Sequence, residues 1–195
     1  MLHSKKAALA VALALLVVDA SQAVESTAAP ATQPAEQPSA TPRGTTFLLP
    51  VGWAKRVQGN AVFVSPPEAD GSRIVIVDAA ADNPDAAVAE AWMLLGMTPK
   101  LIVATDAAPR DGWEHRRFYE YDVAANAKRV VNAGAYRRGK AWTVVLADVD
   151  QAIAEKRASQ VGKLYQRLQP AGYTRETFAG RTAHKLDAAR LQQVS

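Results

Sequence analysis

Trp113-Glu114-His115-Arg116-Arg117-Phe118-Tyr119-Glu120-Tyr121-Asp122-Val123 is the stretch whose pattern decides the fold. Trp113, His115, Tyr119 and Tyr121 fall on one side and Glu114, Arg116, Glu120 and Asp122 on the other, the period of a half-buried strand. Phe118 interrupts the polar side, which is therefore expected to be only partly solvated. Asn126-Ala127 turns the chain into a second strand, Arg129 to Tyr136, where Ala133, Gly134 and Ala135 leave room for a helix or a bulky neighbour. Arg138-Gly139 makes a tight turn into Ala141 to Ala147, apolar on both faces. Three strands joined by short turns form a meander, and such neighbours pair antiparallel.

Working outward, Lys100 to Thr105 reads as a short strand ahead of the meander, and a punctuated helix precedes it. Asp82 or Asn83 caps that helix, Pro84 suits its first position, and Asp85 suits the positive end of its dipole. Val88, Ala91, Trp92 and Leu95 recur at helical spacing, and Gly96 supplies a left-handed end. Arg73 to Asp78 is apolar on both faces for four residues, as a central strand must be. Before it lie strands at Thr45–Leu49, Ala54–Val57 and Ala61–Ser65, with Asp70-Gly71 in the loop that follows. After the meander, Asp148 and Gln151 have capping-box spacing and open a helix that runs to about Gln169. Its apolar face is Ile153, Ala158, Val161, Leu164, Tyr165 and Leu168, and Pro170 stops it. The fold expected is α+β: an antiparallel-rich sheet of about six to seven strands flanked by two main helices. One strand–helix–strand crossover excludes a doubly wound sheet.

The remaining sequence assigns the boundaries. Residues 1–23 read as a signal peptide: Lys5-Lys6, an apolar run from Ala7 to Val18, and cleavage after Ala23 at Ser21-Gln22-Ala23. The apolar run is too short for a spanning helix, which needs roughly 20 residues, so the expectation is a periplasmic protein with no stable membrane anchor. Residues 24–44 hold Pro30, Pro34, Pro38 and Pro42 and almost nothing large and apolar, and read as a disordered Pro/Ala/Thr-rich linker. Residues 45–170 form the α+β domain, and 171–195 a linker with the start of a helix. The net charge of +4 comes with no basic helix or glycine/aromatic motif, so no nucleic acid is expected as partner.

Chemistry is sparse. With no cysteine there is no thiolate nucleophile, disulfide or lipidation site. There is no G-x-S-x-G, and Ser159 and Lys163 are four apart rather than the three of S-x-x-K. His115 and His184 each lack a second histidine at metal spacing. Asp78, Asp82 and Asp85 lie close enough in sequence to share a cation, yet cap and dipole roles explain them, as they do Asp148 and Asp150. Four tryptophans fit a core better than a pocket. No catalytic, cofactor-binding or metal residue is assigned, no cofactor is expected, and an enzyme built around His115 and nearby carboxylates stands behind a binding role.

Leu168-Gln169-Pro170-Ala171-Gly172-Tyr173-Thr174-Arg175-Glu176-Thr177-Phe178-Ala179-Gly180-Arg181-Thr182-Ala183-His184-Lys185-Leu186-Asp187-Ala188-Ala189-Arg190 resembles the junction that leads into the catalytic domain of exported bacterial serine hydrolases of the class C β-lactamase and penicillin-binding-protein-like family. Phe47-Leu48-Leu49-Pro50 with Gly52-Trp53, Pro66-Pro67-Glu68, Arg110-Asp111-Gly112-Trp113-Glu114 and Tyr119-Glu120-Tyr121 are similar to the N-terminal domain of the same proteins. That family's Ser-x-x-Lys, Tyr-x-Asn and Lys-Thr-Gly-like motifs would fall beyond Ser195, so the resemblance gives no residue here a catalytic role. It implies a non-catalytic accessory domain whose partner, in cis in relatives, is a serine-hydrolase domain. The rival expectation is a stand-alone periplasmic binding or assembly-factor domain. The order of elements is also similar to PsbP-type α/β/α sandwiches.

Overall fold

A computed structural model describes residues 35–68 and 71–175, and the backbone of 177–178 and 181–182. The signal-peptide reading, the linker as far as residue 34 and the helix expected from Leu186 lie outside the described residues.

Seven strands form one sheet: β3 (Ala54–Gln58), β4 (Ala61–Ser65), β5 (Arg73–Ala79), β6 (Leu101–Ala107), β7 (His115–Tyr121), β8 (Arg129–Arg138) and β9 (Ala141–Asp150). Their order is β3-β4-β5-β9-β8-β7-β6, and every neighbour pair is antiparallel. Helix α1 (Pro84–Met93) carries the chain from β5 across to the far edge at β6. The meander β6–β9 then returns it until β9 lies against β5. Strand alternation divides the apolar residues between two layers. Val75, Val77, Val144 and Leu146 pack with Val88, Ala91 and Trp92 of α1. Ile74, Ile76, Val145 and Val149 pack with Ile153 and Leu164 of α2 (Gln151–Gln166). The α+β expectation is met, as a sheet between two helical layers.

The caps explain the helix starts. Asn83 Oδ1 accepts from the Ala86 amide at 2.8 Å, with Pro84 in the first turn. Gly96, at φ +64°, turns the chain out of α1, and the amides of Gly96 and Met97 donate to the Met93 and Trp92 carbonyls. At α2 the cap is Asp150, whose Oδ1 accepts from the Ala152 and Ile153 amides. Asp148 is not part of a capping box, because β9 continues to Asp150 and keeps Asp148 in the sheet. Its carboxylate instead takes Arg129 Nε at 2.6 Å and Arg73 Nη2 at 3.3 Å.

Three further expectations change. Residues 37–44 are not a tether: β1 (Gln37–Ala40) pairs with β2 (Thr46–Leu49), and the turn between them grips the sheet. There the buried Asp78 carboxylate accepts from Thr41 Oγ1 and the Arg43 amide, each at 2.8 Å. Trp113 does not share a side with His115, Tyr119 and Tyr121. It closes a turn by a bridge to Arg110 and packs in the α2 layer, its indole N–H donating to the Leu168 carbonyl at 3.1 Å. Helix α2 ends at Gln166, not Gln169, because Gln169 exchanges two backbone hydrogen bonds of 2.9 Å with Thr46. Ala158, expected on the apolar face of this helix, is exposed, and its neighbours Arg157 and Gln160 bond Glu68 and Trp53.

Candidate functional site

His115 does sit among carboxylates. Its Nε2 is 3.0 Å from Asp106 Oδ1, and Arg117 Nη1 donates to Asp106 Oδ2 at 3.0 Å. Arg117 Nε also lies 3.3 Å from Asp85 on α1, and Tyr119 OH donates to Asp85 at 2.7 Å. His115 and Arg117 together hold the Asp106 carboxyl below its ordinary range, and Asp106 in turn raises Arg117. Burial, helped by the bond to Asp85, pushes the Tyr119 phenol well above its usual value, so it stays protonated. A depressed carboxyl is a weaker base, and a tyrosine so raised is a poor acid. The cluster ties α1 to β6 and β7 through Asp85 and Asp106.

The other acids considered for a metal are separated. Asp78 faces the α2 layer under the β1–β2 turn, Asp85 bonds Tyr119 in the α1 layer, and Asp82 is exposed. Among the described residues no three histidine, aspartate or glutamate side chains converge.

A concave surface lies elsewhere. Helix α2 packs chiefly across β2, β9 and β8, and this concave surface lies between its Tyr165 and Phe118 of β7. Phe118, 37% exposed, is shared with Tyr165 by two adjoining hollows. One, of about 220 Å³, reaches Arg110, Arg116, Trp113 and Tyr136; the other, of about 320 Å³, reaches Glu120, Asn132 and Gly134. Phe118 meets Tyr136 edge-on at 5.9 Å, and Arg116 lies 5.8 Å above the Phe118 ring. Gly134 makes the floor: a Cβ there would stand 2.9 Å from the Tyr136 ring. Burial keeps the phenols of Tyr136 and Tyr165 protonated. The groove therefore offers aromatic faces, phenolic hydroxyls and an arginine rim.

Two signs of this groove are legible in the sequence, the Phe118 that breaks a polar face and the small Gly134 in mid-strand. Sequence reasoning placed Tyr165 in a helix stripe and Trp113 on the wrong layer, so the convergence was not visible.

Residues 170–175 run along the groove's rim. Pro170 is buried, Tyr173 lies against Gly112, and Arg175 Nη2 donates to Asp111 Oδ1 at 2.7 Å. Beyond it, β10 (Thr177–Phe178) pairs with β11 (Arg181–Thr182). A larger hollow of about 630 Å³ at the other edge of the sheet is lined by Lys55, Arg56, Phe63 and Arg73, with no link to the exit path. Among the described residues no helix is long and apolar enough to cross a membrane.

No protein-family model matches the chain, and no curated protein matches it. Among solved structures, the chain is similar to the solution structure of cyanobacterial PsbP (CyanoP) from Synechocystis sp. PCC 6803. The TM-score is 0.50 at 14% identity, covering 74% of this chain and 97% of that one. At that identity the likeness speaks for the fold, a PsbP-like α+β sandwich.

Proposed function

We propose that this chain is a non-catalytic accessory domain of a periplasmic, β-lactamase-related serine hydrolase, exported by cleavage after Ala23. It meets the hydrolase domain through the groove at Phe118 and Tyr165. The observation that carries the reading is the exit path. Residues 170–175 are held along Asp111–Trp113, so polypeptide continuing past Arg175 begins at the groove's rim. A domain tethered there experiences a high effective concentration at that surface, and modest groove contacts suffice to hold it.

The purified chain is expected to turn over neither nitrocefin nor short p-nitrophenyl esters. A Ser-x-x-Lys hydrolase domain encoded directly downstream, supplied in trans, is expected to bind it, and Phe118→Asp to abolish that binding. Turnover that survives contaminant controls, or a hydrolase domain indifferent to Phe118→Asp, would sink the reading.

A second reading, a stand-alone periplasmic binding or assembly-factor domain, is favoured by one observation. The same fold accounts for 97% of the cyanobacterial chain, so in that structure it stands by itself. A co-purifying protein unrelated to hydrolases, lost with Phe118→Asp, would select it.

A further inference from the structure

Helix α1 packs chiefly across β9, β8 and β5, and the hollow of about 630 Å³ lies over β3, β4 and the start of β5. Strand register says which side chains share its face. Arg56 pairs with Phe63 and Phe63 with Val75, which belongs to the α1 layer. Ser65 and Arg73 stand two residues along from Phe63 and Val75, so alternation puts them on that face too. Asp148, the register partner of Arg73, joins them. The small Ala54 and Ser65 pair beside the Arg56 guanidinium, which lies 4.4 Å above the Phe63 ring, and Pro66, Pro67 and Gly71 complete the lining.

The charges around this hollow do not balance. Asp148, 8% exposed at the side chain, takes Arg129 on one oxygen and Arg73 on the other, so one carboxylate answers two guanidiniums. Arg73 Nε is itself buried with no partner among the described residues. Arg56 bonds the neutral side-chain amide of Gln58, and Lys55 the Ser39 hydroxyl. Among the described residues no carboxylate lines the hollow. A concave surface with a surplus of one sign of charge concentrates the opposite ion.

We propose that this hollow binds a small organic anion, its phosphate or carboxylate held between Arg56 and Arg73 and its apolar body against Phe63, Pro66 and Pro67. The two arginines stand two strands and two residues apart, about 12 Å between Cα atoms, so an oxyanion over Ser65 is within reach of both. A guanidinium fork matches either head group with parallel N–H···O bonds. The volume falls in the roughly 300–1,000 Å³ range of small-molecule pockets, well above what a bare oxyanion fills. The site stands apart from the accessory-domain reading, because Phe118 lies near the other edge of the sheet and on its other face.

The test is titration of the full chain with phenyl phosphate, benzoate, inorganic phosphate and benzyl alcohol, followed by amide NMR shifts and calorimetry. Phenyl phosphate or benzoate is expected to shift the Phe63, Ser65, Gly71 and Arg73 amides saturably, with a Kd below about 1 mM. The tighter of the two names the head group. Benzyl alcohol is expected to leave those amides unmoved, and inorganic phosphate to bind at least about tenfold more weakly than the tighter probe. Arg56 is exposed, so Arg56→Gln is expected to leave the melting temperature unchanged while weakening binding at least about tenfold, the loss of a charge-assisted bond. Lys140→Gln removes an equal charge at the far end of β9 and is expected to change binding by less than about twofold. No saturation by about 10 mM, equal binding of benzyl alcohol or inorganic phosphate, or equal losses in Arg56→Gln and Lys140→Gln overturns the proposal.

Discussion

Gly112 and Tyr173 are fitted to each other without room for a methyl group. A Cβ on Gly112 would stand 2.7 Å from Tyr173 Cγ and 3.0 Å from Pro170 Cγ, on a backbone at φ +86°. Gly112→Ala therefore combines an unfavourable backbone with a collision, and should cost about 1–3 kcal/mol. The collision falls on the exit path, so trypsin should cut after Arg175 faster than in the parent. Unchanged cleavage and an unchanged thermal midpoint would show that Tyr173 does not hold the tail.

Asp78 is the polar anchor of the β1–β2 turn. It is 1% exposed and accepts from Thr41 Oγ1 and the Arg43 amide. Asp78→Ala strands both donors and should cost about 2–3 kcal/mol in a urea melt. Asp82→Ala, at an exposed position, should stay within about 0.5 kcal/mol of the parent. Equal effects at the two positions would refute the anchor.

Trp92 is 3% exposed and meets Tyr121 edge-on with ring centroids 5.4 Å apart. Trp92→Ala should cost about 3–5 kcal/mol, for lost transfer energy and the cavity left under α1. Its neighbour Met93, 66% exposed, is the control and should be nearly silent as alanine. Chemical denaturation of the two variants side by side decides the matter.

Glu68 predicts the acid limb of stability. The Arg157 guanidinium, and then Lys156, hold its carboxyl at about 2 instead of 4.5. A carboxyl lowered on folding stabilises the fold above its unfolded value, and that contribution is lost as pH falls through the folded value. The window therefore runs from pH 4.5 down to about 2. Glu68→Gln should flatten the change in urea midpoint between about pH 5 and about pH 3. A parent and variant with parallel acid limbs would contradict it.

Where a residue's role is local, the sequence announced it. The four-residue apolar run of β5, the alternation of Val62 and Val64 against Phe63, the Asn83 cap and Gly96 all depend on neighbours within a turn or a strand. The residues misread are those whose partners are far along the chain. Gln37 to Ala40 became a strand because β2 offered an open side, which its proline-bearing composition does not suggest. Asp148 had the spacing of a cap, but Arg73, 75 residues away, claims it for the sheet. The groove was hidden for the same reason: Phe118, Tyr136 and Tyr165 sit on three elements whose approach only the tertiary packing sets.

The placement of β9 beside β5 has a consequence for how this domain assembles. Strands β3 to β5 can zip up as successive hairpins, and β6 to β9 as another such series, each from neighbours in sequence. The seam between them pairs Arg73 with Asp148 and Val75 with Leu146, so it closes a loop that contains α1 and the whole meander. Loop closure of that length sets the slow step of folding, and destabilising the seam should slow it more than equal damage inside either series. On this topology the two halves should nucleate separately and become one cooperative body only when β9 docks.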